Sequence, residues 1–208
     1  MKILSVSSLP LDGVKVVRYA RYPDSRGYFT VPFLRSAIDS HPETPFLSDL
    51  RFVQANESYS RPGVLRGLHF QWNPNLGKLV RTVHGHMVDI VLDIRVGSPT
   101  RGKAVMYDMP AATSEGWGEW IWVPPGFAHG NFFTEETRIE YFCTGDYNPR
   151  NEAGISPMSP DIDWSLCDAG LKARFDRLVA DGVTLSDKDR AGVTVAEWLI
   201  DERSQNFA

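Results

Sequence analysis

The chain has 208 residues and a formal net charge of −4. A net negative charge excludes the strongly basic surface that is typical of a nucleic-acid-binding protein, and no apolar run is long enough to predict a transmembrane helix. With 42% hydrophobic and 12% aromatic residues the chain can bury a sizeable core, and its length favours one domain over residues 1–208. Two cysteines make no disulfide framework and the N-terminus lacks a signal-peptide pattern, so we expect a cytoplasmic protein.

Short β-like runs separated by turn residues fill the sequence from about residue 14 to about residue 145. In chain order the runs cover residues 14–22, 27–34, 51–59, 64–71, 78–85, 87–96, 103–109, 119–125 and 138–145. In 87–96, Val88 and Ile90 alternate with Asp89 and Asp93, the period of a strand with two different faces. Many short strands at this spacing predict a β-sandwich or jelly roll.

Beyond Pro149 the sequence changes character, and we treat residues 146–208 as a wrap with short helices. The segment 148–164 is rich in turn residues and is expected to run over the surface. Residues 170–180 predict a short amphipathic helix, 194–202 a second one, and "LSDKDR" between them a charged turn. The tail is too short for a core of its own, so we assign it to the same domain.

One histidine in the run "RGLHFQ" admits three interpretations: a structural residue, a metal ligand or a catalytic base. His69 and Gln71 share one face of the strand, whereas Arg66 falls on the other face unless Gly67 forms a bulge. The inside of a small jelly roll is normally apolar. A face with His and Gln therefore either meets solvent or lines a pocket, and the pattern alone leaves both open.

Two segments resemble the signature segments of cupins, which are jelly-roll proteins. The second signature is present as Pro124, Gly126 and His129, but in the first Gln71 replaces a histidine and Lys78 lies where a glutamate is expected. A transition-metal site needs about three suitable ligands. We therefore expect no metal and no cofactor. The pair His84 and His86 around Gly85 predicts a turn between strands.

Nine segments in a fixed order extend the resemblance to one family over residues 10 to 190. They are "DSRGYF", "VQANES", "GVLRGLHFQ", "GKLVR", "VDIVLDIRVGSPTRG", "VPPGFAHGNF", "EYFCTGDYNPRNEAGI", "DIDW" and "LSDKD". Together they resemble the dTDP-4-dehydrorhamnose 3,5-epimerases, sugar-nucleotide epimerases with a cupin fold. The resemblance implies an all-β double-stranded β-helix, a nucleotide-sugar substrate and a homodimer.

The resemblance also implies roles for individual residues. It makes His69 the catalytic base, Asp189 the carboxylate that orients it, Tyr141 the acid on the other face of the sugar, and Lys78 the partner of the keto oxygen. The implied substrate-binding residues are Arg66 at the diphosphate, Gln54, Asn56, His129, Glu152 and Lys188 in the pocket, and Arg26 and Phe29 in an N-terminal segment that reaches across the dimer.

The chemistry suits these residue types. A ketone at C4 acidifies the C–H bonds at C3 and C5, and an imidazole with a pKa near 6.5 is a suitable base at neutral pH. A lysine can stabilise the enolate oxygen, and inversion requires a proton donor on the opposite face of the sugar. Taken alone, Tyr141 could simply pack in its strand, and Lys78 and Asp189 could be surface charges.

Several alternatives stay open. Val31 stands where the family usually has a glutamate beside the nucleotide base, which allows a different nucleotide or 4-keto sugar. A metal-dependent cupin would use His69 and His129 with His84 or His86. A non-catalytic sugar-binding cupin would need no base or acid. Two loops, 41–51 and 110–120, look longer than usual in the family, and loops of this kind alter specificity on a fixed scaffold.

Overall fold

Two antiparallel β-sheets form the body of the protein in a computed structural model that describes residues 1–111 and 116–208. The described strands are β1 (Ile3–Ser8), β2 (Lys15–Asp24), β3 (Gly27–Thr30), β4 (Gln54–Ser60), β5 (Leu65–Gln71), β6 (Lys78–His84), β7 (His86–Asp93), β8 (Ala104–Pro110), β9 (Trp117–Val123), β10 (Phe127–Phe133), β11 (Thr137–Cys143) and β12 (Glu152–Gly154). The described helices are α1 (Arg35–Ser40), α2 (Pro45–Ser48), α3 (Ala169–Asp181), α4 (Asp187–Arg190) and α5 (Val195–Ile200), with 3₁₀ turns at Pro149–Asn151 and Glu202–Phe207.

The sheets pack face to face as a jelly roll. Within the described residues the larger sheet has the spatial order β1-β2-β9-β6-β11-β4, with β3 paired to β2, and the smaller has the order β12-β5-β10-β7-β8. Apolar side chains from both sheets meet between them, among them Val16, Val80, Val91 and Phe133. The predicted all-β jelly-roll fold class is confirmed.

Helices cover the outer face of the smaller sheet. Phe175 of α3 and Trp198 of α5 belong to one buried cluster with Val88 and Ile90 of β7. The opposite face of β7 carries Asp89, which is fully buried between the sheets. The two faces of β7 therefore differ as predicted, but both are buried. The shared cluster favours a single domain for residues 1–208, which stays a prediction.

The C-terminal helices confirm the periodicity of the tail. The side chain of Asp168 caps α3 by accepting a hydrogen bond from the backbone N–H of Leu171, and α5 begins with a capping box of Thr194 and Glu197. The predicted charged turn at "LSDKDR" is a single helical turn, α4, which Ser186 caps. None of the described helices has the length and apolar character needed to cross a membrane.

Several boundaries differ from the sequence prediction. Strand β1 lies before residue 14 and β12 lies after residue 145, so the sheets extend beyond the predicted core. The segment 148–164 does not merely run over the surface, because β12 pairs with β5 and Ile155 is fully buried. The predicted strand 27–34 stops at Thr30, and α1 and α2 follow over the outer face of the larger sheet. Loop 110–120 includes residues 112–115, which lie outside the described residues.

Candidate active site

A cavity of about 220 Å³ opens between the two sheets. Strands β4, β6 and β11 of the larger sheet contribute to one wall, β5 and β10 of the smaller sheet to the other, and α4 lies at its edge. Its lining residues are Ser58, Arg66, Gly67, His69, Lys78, His129, Gly130, Asn131, Ile139, Tyr141, Ser186 and Asp189. All four residues predicted to be catalytic therefore face one space, although they come from four separate elements.

A histidine–carboxylate pair occupies one wall of the cavity. His69 Nε2 lies 2.6 Å from Asp189 Oδ1, and the side chain of Asp189 is only 6% exposed. Burial alone would raise the pKa of Asp189, but hydrogen bonds from His69, Ser186 and the Gly67 backbone hold this pKa below its ordinary value. An ionised Asp189 accepts the Nε2 proton, which leaves the lone pair of His69 on Nδ1.

A β-bulge in β5 brings Arg66 and His69 to the same side of the strand. Gly67 has a φ of +106°, and the register with β10 shifts between His129 and Asn131. A Cβ atom on Gly67 would lie 2.6 Å from the Cα of Gly130, so the two backbones touch here. Of the two arrangements that the sequence left open for Arg66 and His69, the structure adopts the bulged one.

Lys78 and Tyr141 project into the cavity from the larger sheet. Lys78 Nζ lies 3.4 Å from the backbone carbonyl oxygen of His69, and burial of the ammonium group lowers the pKa of Lys78. Burial, followed by the proximity of Cys143, raises the pKa of Tyr141, while Arg66 opposes this shift. The phenol of Tyr141 is therefore protonated at neutral pH and can donate a proton.

A second histidine–carboxylate pair lies deeper in the cavity wall. His129 Nε2 lies 2.7 Å from Asp89 Oδ1, with His129 7% exposed and Asp89 fully buried. The amide of Asn131 approaches the same carboxylate oxygen at 3.5 Å. Asp89 was not among the predicted site residues. A carboxylate in an otherwise apolar strand, "MVDIVL", was the signal that could have identified it.

Six of the eight predicted substrate-binding residues lie outside the cavity lining, and four of these six form two small hydrogen-bonded networks. Glu152 accepts hydrogen bonds from Lys188 and from Tyr147, and despite burial these bonds hold the pKa of Glu152 below its ordinary value. Gln54 donates to Asn56 at 2.9 Å on β4. Contact of Glu152, Lys188, Gln54 and Asn56 with the substrate stays a prediction.

The N-terminal pair lies further away, on the β2–β3 hairpin. Arg26 pairs with Asp24 at 2.6 Å, and Phe29 is 65% exposed. Neither residue lines the cavity of its own chain, so the structure does not bring them together with the other predicted site residues.

The histidines that a metal-dependent cupin would use do not meet in one place, because His69 and His129 line the cavity whereas His84 and His86 do not. His84 and His86 flank Gly85 between β6 and β7, as the sequence predicts, and neither lines the cavity. His86 Nε2 instead lies 2.7 Å from Asp108 Oδ1. Across the described residues, no group of three or more His, Cys, Asp or Glu side chains is arranged to hold a metal ion.

Known proteins resemble the chain over most of its length. The family profile described as dTDP-4-dehydrorhamnose 3,5-epimerase matches residues 8–197. The dTDP-4-dehydrorhamnose 3,5-epimerase of Methanothermobacter thermautotrophicus is 36% identical over 183 residues, covering 86% of this chain and 88% of the relative.

Solved structures agree with the sequence comparison. A dTDP-6-deoxy-D-glucose-3,5-epimerase of Legionella pneumophila, in complex with dTDP-4-keto-L-rhamnose, superposes with a TM-score of 0.77 at 33% identity, covering 96% of each chain. A 4-keto-6-deoxy sugar epimerase from the novobiocin cluster of Streptomyces spheroides has a TM-score of 0.75 at 28% identity, covering 95% of this chain and 89% of that one.

Proposed function

Because the chain belongs to the dTDP-4-dehydrorhamnose 3,5-epimerase family, we propose that its cavity binds a dTDP-4-keto-6-deoxyhexose and inverts C3, C5 or both. The chain is an isomerase of the epimerase class, as its sequence predicts. The reaction serves the formation of dTDP-L-rhamnose or a related deoxysugar. The alternative of another nucleotide, raised by Val31, is not favoured, since the named relatives act on dTDP-linked sugars.

The proposed mechanism rests on one observation, which is that His69 and Tyr141 face the same cavity from opposing sheets. His69 lies on β5 of the smaller sheet, and Tyr141 lies on β11 of the larger sheet. A sugar ring between them presents one face to the imidazole and the other to the phenol. Removal of a proton from one face and its return to the other is what inversion of a carbon requires.

Proton abstraction is assigned to His69. Its Nδ1 takes the proton from the carbon next to the C4 ketone, while the proton on Nε2 stays hydrogen-bonded to Asp189. The resulting imidazolium lies beside a carboxylate that is ionised at neutral pH, which stabilises the charge as it forms. Asp189 itself stays ionised through the cycle.

The enolate needs positive charge at the former keto oxygen. Lys78 supplies an ammonium group beside His69, and its lowered pKa reflects a buried position where a charge interacts strongly. His129, held by the buried Asp89, lines the same cavity from the smaller sheet. Tyr141 then protonates the enolate carbon from the opposite side. These steps use only side chains of this chain.

Two further properties extend the proposal. The β2–β3 hairpin exposes Tyr22, Tyr28 and Phe29 at 48%, 55% and 65%. A second copy would cover these rings in a homodimer and receive Arg26 and Phe29 at the nucleotide end of its cavity. Light scattering on the purified protein tests the dimer, and a monomer at micromolar concentration would contradict it.

A cytoplasmic location fits the free thiols of Cys143 and Cys167.

The direct test of the proposed activity is incubation with dTDP-4-keto-6-deoxyglucose. Proton couplings in the product's NMR spectrum report the configuration at C3 and C5, and we expect inversion at one or both carbons. UDP-linked and GDP-linked 4-keto sugars serve as controls for the nucleotide. Unchanged dTDP substrate, together with turnover of another nucleotide sugar, would overturn the substrate assignment.

A further inference from the structure

The hydroxyl group of Ser58 is a buried polar group that faces the cavity without a partner. Its Oγ atom is shielded from solvent and has no hydrogen-bond partner among the described residues, and Ser58 is one of the residues that line the cavity. A buried hydroxyl without a partner carries a desolvation cost that a ligand can remove. Ser58 was not among the predicted site residues, although it continues the alternation of Gln54 and Asn56 on one face of β4.

The neighbours of Ser58 show which part of a ligand it meets. Two positions further along the same face, Ser60 Oγ accepts a hydrogen bond from Arg66 Nε at 2.9 Å, and Arg66 Nη2 donates to the Tyr59 carbonyl at 3.0 Å. The guanidinium group is thereby fixed, and its Nη1 forms no hydrogen bond with the described residues. Arg66 is therefore positioned to pair with an anion beside Ser58.

On its other side, Ser58 lies next to the reacting end of the cavity. It pairs in register with Ile139 of β11, and Tyr141 follows two residues later opposite Asn56. Ser58 thus lies between the proposed acid, Tyr141, and the fixed guanidinium of Arg66. In a sugar nucleotide, the phosphate bonded to the sugar lies between the sugar ring and the rest of the diphosphate.

We propose that Ser58 donates a hydrogen bond from its hydroxyl group to the sugar-bearing phosphate, beside Arg66, and thereby strengthens the preference of the site for nucleoside diphosphates over monophosphates. This inference rests on the proposed function, because it assumes that the sugar ring lies between His69 and Tyr141. A hydrogen bond from a hydroxyl to a phosphate oxygen is charge-assisted, and it forms only when the second phosphate is present.

Calorimetric binding of dTDP and dTMP to the full-length protein tests the inference. We expect Ser58→Ala to weaken dTDP binding about tenfold and dTMP binding less than twofold. Ser58→Thr keeps the hydroxyl and is expected to keep the preference for dTDP. Ser7→Ala, a change of an exposed strand serine, is the matched control and is expected to alter neither affinity.

The outcomes separate this inference from the proposed function. An equal loss for dTDP and dTMP in Ser58→Ala, or no loss at all, would overturn the role of Ser58 while leaving the epimerase assignment intact. A wild-type protein that binds neither nucleotide would instead contradict the proposed substrate class, and the role of Ser58 would fail with it. Loss of the dTDP preference in Ser58→Thr as well would also overturn the hydrogen bond to phosphate.

Discussion

His69 Nε2 lies 2.6 Å from Asp189 Oδ1, although 120 residues of chain separate the two. The carboxylate reaches the cavity because Ser186 caps α4 and so turns Asp189 towards β5. The C-terminal wrap therefore completes the site rather than merely covering the sheet. A change that loosens this wrap is expected to affect catalysis before it affects the jelly roll.

Replacement of Asp189 tests the orienting role. In Asp189→Asn the amide can donate to Nε2, which favours the tautomer with its proton on Nδ1, the nitrogen assigned to abstraction. We expect kcat to fall by roughly two to four orders of magnitude, with KM changed little. Steady-state kinetics measures this, and Asp187→Asn on the exposed face of α4 is the control. Activity of Asp189→Asn within threefold of wild type would contradict the role.

The pair of His69 and Asp189 is also expected to make the free energy of unfolding depend on pH. The folded-state pKa of Asp189 is depressed, so its ionised form stabilises the fold above the unfolded-state pKa of about 3.9. This contribution is lost as the pH falls through the folded pKa. Urea unfolding should therefore show a gap between wild type and Asp189→Asn at pH 7 that closes below about pH 4. A gap independent of pH would rule out the ionic contribution.

Replacement of Tyr141 separates abstraction from inversion. Tyr141→Phe removes the proposed acid but leaves His69 and Asp189 in place, so deuterium exchange from solvent should continue while formation of inverted product falls by roughly 10²–10⁴-fold. Parallel measurement of exchange and product configuration tests this. Tyr59→Phe, on the exposed face of β4, is the control. Inversion at the wild-type rate in Tyr141→Phe would show that another group donates the proton.

Lys78→Met is expected to weaken catalysis without weakening the fold. Loss of the ammonium beside the enolate oxygen should lower kcat by roughly 10²–10³-fold. Burial lowers the folded-state pKa of Lys78, so folding disfavours the charged form of the lysine. The free energy of unfolding of the wild-type protein should therefore increase as the pH rises from this lowered pKa to the ordinary value near 10.5. Unfolding curves across alkaline pH should lack this rise in Lys78→Met. A variant that is both active and less stable would refute this account.

The bulge at Gly67 is expected to be required for the site. In Gly67→Ala the new Cβ would meet the Gly130 Cα at 2.6 Å and the His129 carbonyl oxygen at 2.7 Å. We expect a loss of about 2–4 kcal/mol in unfolding free energy and at least tenfold in activity. Gly63→Ala is the matched control, since its φ is also positive, +82°, but no atom lies within 4 Å. Equal effects of the two changes would mean that backbone strain alone matters.

Local pattern in the sequence accounts for much of the fold. Periods of two between Gly and Pro turns mark most of the strands, and the apolar spacing of residues 170–180 marks α3, because each depends on neighbouring residues. The sequence patterns did not predict strand β12 or helix α4. A three-residue strand has too short a pattern, and β12 owes its pairing to an edge of β5 distant in sequence.

The candidate site depended more on family resemblance than on pattern. No spacing rule connects His69 with Asp189, and only the fold brings them together. Asp89 could have been found from residues alone, because it places a carboxylate in an otherwise apolar strand, and Ser58 because it continues the alternation of Gln54 and Asn56 on one face of β4. The resemblance assigns Arg26 and Phe29 to the cavity of a partner chain, and neither residue lines the cavity of its own chain.

In the proposed mechanism His69 abstracts the protons next to the ketone. Proton NMR of dTDP-4-keto-6-deoxyglucose, incubated with the enzyme in deuterated water, is the direct test of this role. We predict deuterium at C3, C5 or both with the wild-type protein, and none with folded His69→Ala. Undiminished exchange in His69→Ala would contradict the assignment of the base.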